Sequence, residues 1–74
     1  MYLKNRIKEL REKFKLTQDE LADKVDVSRQ TIISLEKGKY NPSIMLAHKI
    51  SQLFELTIEQ VFIFDKEEEP ENEK

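Results

Sequence analysis

The stretch TQDELADKVDVSRQTIISLEKGKYN, residues 17–41, decides the fold. It opens on Thr17 with Glu20 three residues later. The hydroxyl can take the amide of the third helical residue while the carboxylate reaches back to the cap's own amide, so a helix starts there. Leu21, Ala22 and Val25 fall on one face of that helix. Asp26-Val27-Ser28 breaks the pattern, and Ser28 caps a second helix with Ile32 and Leu35 turned inward. Gly38 stops it, because glycine takes a left-handed conformation without steric cost. Two short helices with so brief a connection cross steeply, and the second is held away from the body of the domain. Its outward face reads Arg29, Gln30, Ile33, Ser34 and Lys37.

The same reasoning extends in both directions. Upstream, Leu3, Ile7, Leu10 and Phe14 form one stripe, which predicts a first helix over roughly residues 3–14. Downstream, Asn41-Pro42-Ser43 is a turn with Ser43 as the next cap, and Leu46, Ala47, Ile50, Leu53 and Phe54 give a fourth helix its stripe. Thr57 and Gln60 make a second capping box, opening a short fifth helix that holds Val61 and Phe62. The run Val61-Phe62-Ile63-Phe64 has strand-like composition. The capping box before it favours a helix end, and a lone strand would find nothing to pair with inside one copy of the chain. The expected fold is therefore all-α: five helices in one domain over residues 1–64, with the helix-turn-helix at about 17–37. The remainder, DKEEEPENEK over residues 65–74, has no apolar side chain and reads as a disordered acidic tail.

Composition narrows the function. A chain of 74 residues holds one domain, with a core small enough that oligomerisation would add stability. Its net charge is -2, but six of its 15 acids and only two of its 13 Lys and Arg fall in residues 65–74. The remaining 11 bases and nine acids leave residues 1–64 mildly basic, at +2. For a polyanionic partner the placement of those bases matters more than their sum. No cysteine is present, which excludes disulfides and thiolate metal sites and fits a reducing cytoplasm. The N-terminal MYLKNRIKEL is charged and periodic, so neither a signal peptide nor a membrane span is expected. The single histidine, His48, has no partner ligands and reads as a surface or half-buried side chain, so no metal and no cofactor are expected. One glycine cannot make a glycine-rich phosphate loop, and no nucleophile–base pairing is visible. An enzyme is not the reading.

The chemistry lies on the second helix of the pair. Arg can bond guanine through two donors and Gln can bond adenine the same way in the major groove. Lys37, Lys39 and Tyr40 at its far end suit phosphate contacts, as does Gln18 at the start of the preceding helix. The plain alternative is a solvated helix face, and packing beneath its loop fits Tyr40 as well as a phosphate contact does. Phe54 and Phe62 belong to the core. Ile63 and Phe64 either cap that core or serve as a dimer contact.

Four sequence words, IKELR, LTQDELA, VSRQTI followed by SLEKGKYNPS, and LTIEQVF, stand here in the order and spacing of a known family. The chain resembles the phage repressor and Cro type of helix-turn-helix regulator, the xenobiotic-response-element class, over about residues 4–64. The resemblance implies base contacts from Arg29, Gln30 and Ser34, with Ile33 near a thymine methyl. It implies phosphate contacts from Thr17, Gln18, Thr31, Lys37, Lys39, Tyr40 and Asn41, and a partly buried ion pair of Arg11 with Glu36. It also implies double-stranded DNA as partner, a homodimer, and a near-palindromic operator with half-sites about 34 Å apart. Promoter occupancy would then act as repression. Family members usually carry glycine after the first, second and fourth helices, where this chain has Lys15, Asp26 and Glu55. Either these residues accept a left-handed backbone at roughly 1 kcal/mol each, or the helices end differently. A second class of function is a protein-interaction module, such as an antitoxin that neutralises a partner, carried by Ile63-Phe64 and the acidic tail. A third is a structural remnant with no nucleic-acid binding.

Overall fold

The computed structural model describes residues 3–64; the acidic segment 65–74 lies outside the described residues. The order of elements is β1 (Lys4–Asn5), α1 (Ile7–Lys13), α2 (Gln18–Lys24), α3 (Arg29–Glu36), α4 (Ile44–Leu53), α5 (Ile58–Val61) and β2 (Phe62–Ile63). Four of the five helices, α2 to α5, stand where the caps place them. Thr17 and Thr57 both form complete capping boxes, and Ser28 and Ser43 each accept from the amide three residues on. Each such cap satisfies a helical N–H that has no partner within its helix and contributes about 1 kcal/mol.

Two expectations are corrected. The chain is not purely helical, since β1 and β2 pair antiparallel with Lys4 opposite Ile63 and Asn5 opposite Phe62. The missing partner for the C-terminal run is the N-terminus, which the apolar stripe had assigned to a helix. That helix starts at Ile7 instead of residue 3. Leu3 is still partly buried against the core, but it reaches the core from an extended segment. After Val61 the backbone turns extended, with Phe62 at φ -105°, ψ 129°, so the second capping box starts a helix of only four residues.

The core is one cluster that draws Ile7, Leu10, Leu21, Ile32, Leu35, Ile50, Val61 and Phe62 into full or nearly full burial. Every helix contributes an inner face, and burying each large side chain contributes about 1.5–3 kcal/mol. Phe14 belongs to this stripe only in part. It stays 45% exposed, with its ring edge-on to Phe54 at 5.1 Å.

The helix ends resolve the glycine question. Lys15, Asp26 and Glu55 all adopt positive φ, at 60°, 61° and 60°. After α1, Leu16 N–H donates to Arg11 C=O and Lys15 N–H to Glu12 C=O. The same two bonds recur after α2, from Val27 to Ala22 and Asp26 to Asp23, and after α4, from Leu56 to Ser51 and Glu55 to Gln52. This is the Schellman arrangement, in which a left-handed residue lets the chain double back onto the last carbonyls. Leu16, Val27 and Leu56, which follow the strained positions, all pack against the core. Their burial offsets the backbone cost. The helices therefore end as the family pattern has them, without its glycines.

Candidate nucleic-acid interface

The end of α3 carries the one glycine, and here space demands it as well as conformation. Gly38 has φ 77°, and a Cβ at this position would stand 3.0 Å from the backbone oxygen of Leu3. Lys39 N–H closes the turn on Ser34 C=O and Gly38 N–H on Leu35 C=O. Lys37 and Lys39 are thereby presented on either side of a turn that Leu3, just ahead of β1, approaches closely, and both are exposed.

Along α3, Ile32 and Leu35 are fully buried. The opposite side holds the residues singled out in the sequence. Arg29 and Gln30 are exposed, while Ile33 and Ser34 are half-buried. Thr31 is half-buried and its hydroxyl lies 3.0 Å from that of Ser28. Tyr40, at 43% exposure, and Asn41 continue the surface beyond the turn. On α2, Thr17 is exposed and spent on its own capping box.

The pitch of α3 against the other helices is fixed by one carboxylate. Arg11 Nε donates to Glu36 Oε2 at 2.7 Å and its Nη2 to Oε1 at 3.4 Å. Gln18 Nε2 donates to the same Oε1 at 3.1 Å, and Arg11 Nη1 to Leu16 C=O at 2.9 Å. The side chains of Arg11 and Glu36 retain only 12% and 7% of their exposure. The hydrogen bond to Glu36 holds the Arg11 guanidinium above its ordinary pKa, outweighing the opposing effect of burial. Glu36 thus joins α1, α2 and α3 at one point, and the Gln18 amide is oriented by it.

Several contacts were not foreseen from sequence. Asp19 Oδ1 lies 4.0 Å from Arg29 Nε, with both side chains mostly exposed. Lys8, Lys15 and Arg29 share the rim of a shallow depression between α1, α2 and the start of α3, together with Glu12 and Asp19. Asn5, half-buried, makes three side-chain hydrogen bonds. An asparagine just ahead of a helix is a cap signal, but it was masked by starting that helix at Leu3. Ile63 and Phe64 are 43% and 61% exposed and so do not cap the core, and Ile44 and Met45 at the start of α4 are exposed as well. His48 is exposed on α4, and among the described residues no cluster of side chains could hold a metal ion. Among them, too, no helix is long and apolar enough to cross a membrane.

Two short helices packed together across a brief turn, the second presenting Arg29 and Gln30 beside a cationic turn, define the helix-turn-helix class of DNA-binding protein. The chain belongs to the helix-turn-helix family HTH_3, whose profile matches residues 7–61, and it is a transcriptional regulator of the Cro/C1 type. It is 59% identical over 66 residues to an uncharacterized HTH-type transcriptional regulator of Archaeoglobus fulgidus, an alignment covering 89% of this chain and 93% of that one. An immunity repressor of Bacillus phage phi105 is 43% identical over 44 residues, covering 60% of this chain and 31% of the repressor. Among solved structures, the restriction-modification controller protein C.AhdI of Aeromonas hydrophila superposes with a TM-score of 0.67 at 25% identity, covering 74% of this chain and 83% of that one.

Proposed function

We propose that the protein binds duplex DNA sequence-specifically as a homodimer and represses transcription from a short near-palindromic operator. The observation that carries this reading is the outer face of α3. Arg29 and Gln30 stand exposed in its first turn, while its other side is anchored by the fully buried Ile32 and Leu35. Eight residues of helix span about 12 Å, comparable to the width of the major groove. In this reading Arg29 bonds guanine, Gln30 bonds adenine, and Ser34 and Ile33 touch neighbouring bases. Thr17, Gln18, Thr31, Lys37, Lys39, Tyr40 and Asn41 hold the sugar-phosphate backbone on either side. Ile63 and Phe64, apolar and exposed at the end of β2, supply the contact between copies. Two-fold symmetry then sets half-sites about one helical turn apart. The likeness to a phage immunity repressor favours repression over activation.

The test is selection of bound sequences from a random duplex library at two salt concentrations. Enrichment of a two-fold symmetric site that is lost steeply with salt is the expected result. Absence of any enriched site would reject the reading and direct attention to a protein partner on the Ile63-Phe64 surface.

A further inference from the structure

The N-terminal segment grips the far end of α3 through two hydrogen bonds, one of them from a side chain. Asn5 Nδ2 donates to Leu35 C=O at 2.7 Å and to Leu3 C=O at 3.1 Å. Its Oδ1 accepts from Ile7 N–H at 3.1 Å. Both amide hydrogens and the amide oxygen are therefore used. The Ile7 bond serves α1, whose capping position, Arg6, has no side-chain cap of its own. The Leu35 bond serves α3 as a second hydrogen bond on a carbonyl of its last turn, which also accepts from Gly38 N–H at 2.9 Å. Leu3 N–H adds a backbone bond to Gly38 C=O at 2.9 Å. The strand is itself held from behind, by its pairing with β2 and by Arg6 N–H on Val61 C=O at 2.8 Å.

We propose that Asn5 is a positioning residue of the DNA-binding surface, holding the C-terminal turn of α3 so that Lys37 and Lys39 reach the phosphate backbone. This rests on the reading of α3 given above. It assigns a role in DNA binding to a residue outside the helix-turn-helix. Arg29 and Gln30 lie in the first turn of α3, about 8–9 Å along the axis from the bond at Leu35. Loosening the last turn therefore removes phosphate contacts and leaves base contacts in place. A purely structural role for Asn5 predicts something else: a lower melting temperature, with DNA binding unchanged wherever the protein is folded.

Two variants separate these outcomes. Asn5→Asp keeps the oxygen that caps Ile7 and loses both donors, so α1 retains its start while the hold on Leu35 is lost. Asn5→Ala removes all three bonds. Binding is measured by fluorescence anisotropy across a salt series, well below the melting temperature, on the duplex recovered by selection and on a scrambled duplex of equal length. The expected result for both variants is affinity about tenfold weaker on either duplex, with the slope of log K against log salt reduced by about one to two and the ratio between duplexes unchanged. Unchanged affinity and slope in Asn5→Asp overturns the proposal, and so does a loss confined to the selected duplex. A wild-type protein that binds both duplexes alike refutes base reading by α3 alone, and the slopes still decide the role of Asn5. A wild-type protein that binds neither refutes both.

Discussion

Glu36 concentrates more of the architecture than any other polar residue, and removing it is the sharpest test of how the helices are held. Glu36→Ala deletes the acceptor for Arg11 Nε, Arg11 Nη2 and Gln18 Nε2 together. It leaves a guanidinium that retains 12% of its exposure, with its bond to the Leu16 carbonyl kept and nothing in place of Glu36. An uncompensated buried charge of this kind costs about 3–5 kcal/mol. Stability scales at about 0.05–0.15 kcal/mol per residue, which puts the whole domain near 3–10 kcal/mol. The substitution therefore removes a third or more of what holds the protein together. In a domain of this size each kcal/mol moves the melting temperature by about 4–8 °C, so the expected fall is at least about 12 °C. Arg11→Met together with Glu36→Leu should recover most of that loss, because two apolar side chains of similar volume need no solvation. Thermal and urea unfolding of Arg11→Met, of Glu36→Leu and of the double variant close the cycle. If Glu36→Ala costs under about 1 kcal/mol, or the double variant costs the sum of the singles, the pair is not the buried lock its geometry indicates. The argument would then fail at the desolvation step.

Three further outcomes follow from the same geometry. Arg29→Ala should weaken binding to the selected duplex by about 1–3 kcal/mol and relax preference at one base pair per half-site. Equal weakening on all sequences, measured by repeating the selection, would make Arg29 a phosphate contact. Lys39→Ala should weaken binding to every duplex alike and lower the salt slope by about one unit per protomer; an unaltered slope removes Lys39 from the interface. Lys15→Gly should raise stability by up to about 1 kcal/mol by relieving a left-handed backbone, whereas Gly38→Ala should destabilise by at least that much. Paired melting curves check the contrast, and equal and opposite shifts would mean that the close approach of Leu3 to Gly38 is of no consequence.

The helices were legible because their signals are local. Thr17 with Glu20, Ser28, Ser43, and Thr57 with Gln60 each act within one turn, so sequence spacing alone placed four of the five starts. The exception is α1, where Leu3 extended an apolar stripe backward past Asn5 and concealed both a cap and a strand. A two-residue strand has almost no pattern of its own. It exists because two chain ends far apart in sequence meet, and nothing within either end announces the other. The outward face of α3 was legible for the same reason as the caps: Ile32 and Leu35 fix the inside, and helical periodicity then fixes the rest. What periodicity could not reach is how that face is held. The carboxylate of Glu36 orients Gln18 as well as pairing with Arg11, and Asn5 bonds a carbonyl 30 residues away. Such contacts depend on the three-dimensional meeting of elements.

The distribution of glycine shows how this affects the cationic turn after α3. Four helices end in a left-handed residue, yet glycine is used at only one of the four. At Lys15, Asp26 and Glu55 the cost is conformational alone, and an apolar residue buried in the next position offsets it. At Gly38 the next residue is Lys39, which is exposed and returns no burial. There the turn must also admit the backbone of Leu3. A Cβ at position 38 would press on the Leu3 carbonyl at 3.0 Å and force it to give way, two residues from the Asn5 that bonds Leu35. A glycine at this one helix end is therefore what the combined demand requires: a cationic turn facing outward with a strand packed directly beneath it. The other three ends face no such demand and carry ordinary side chains.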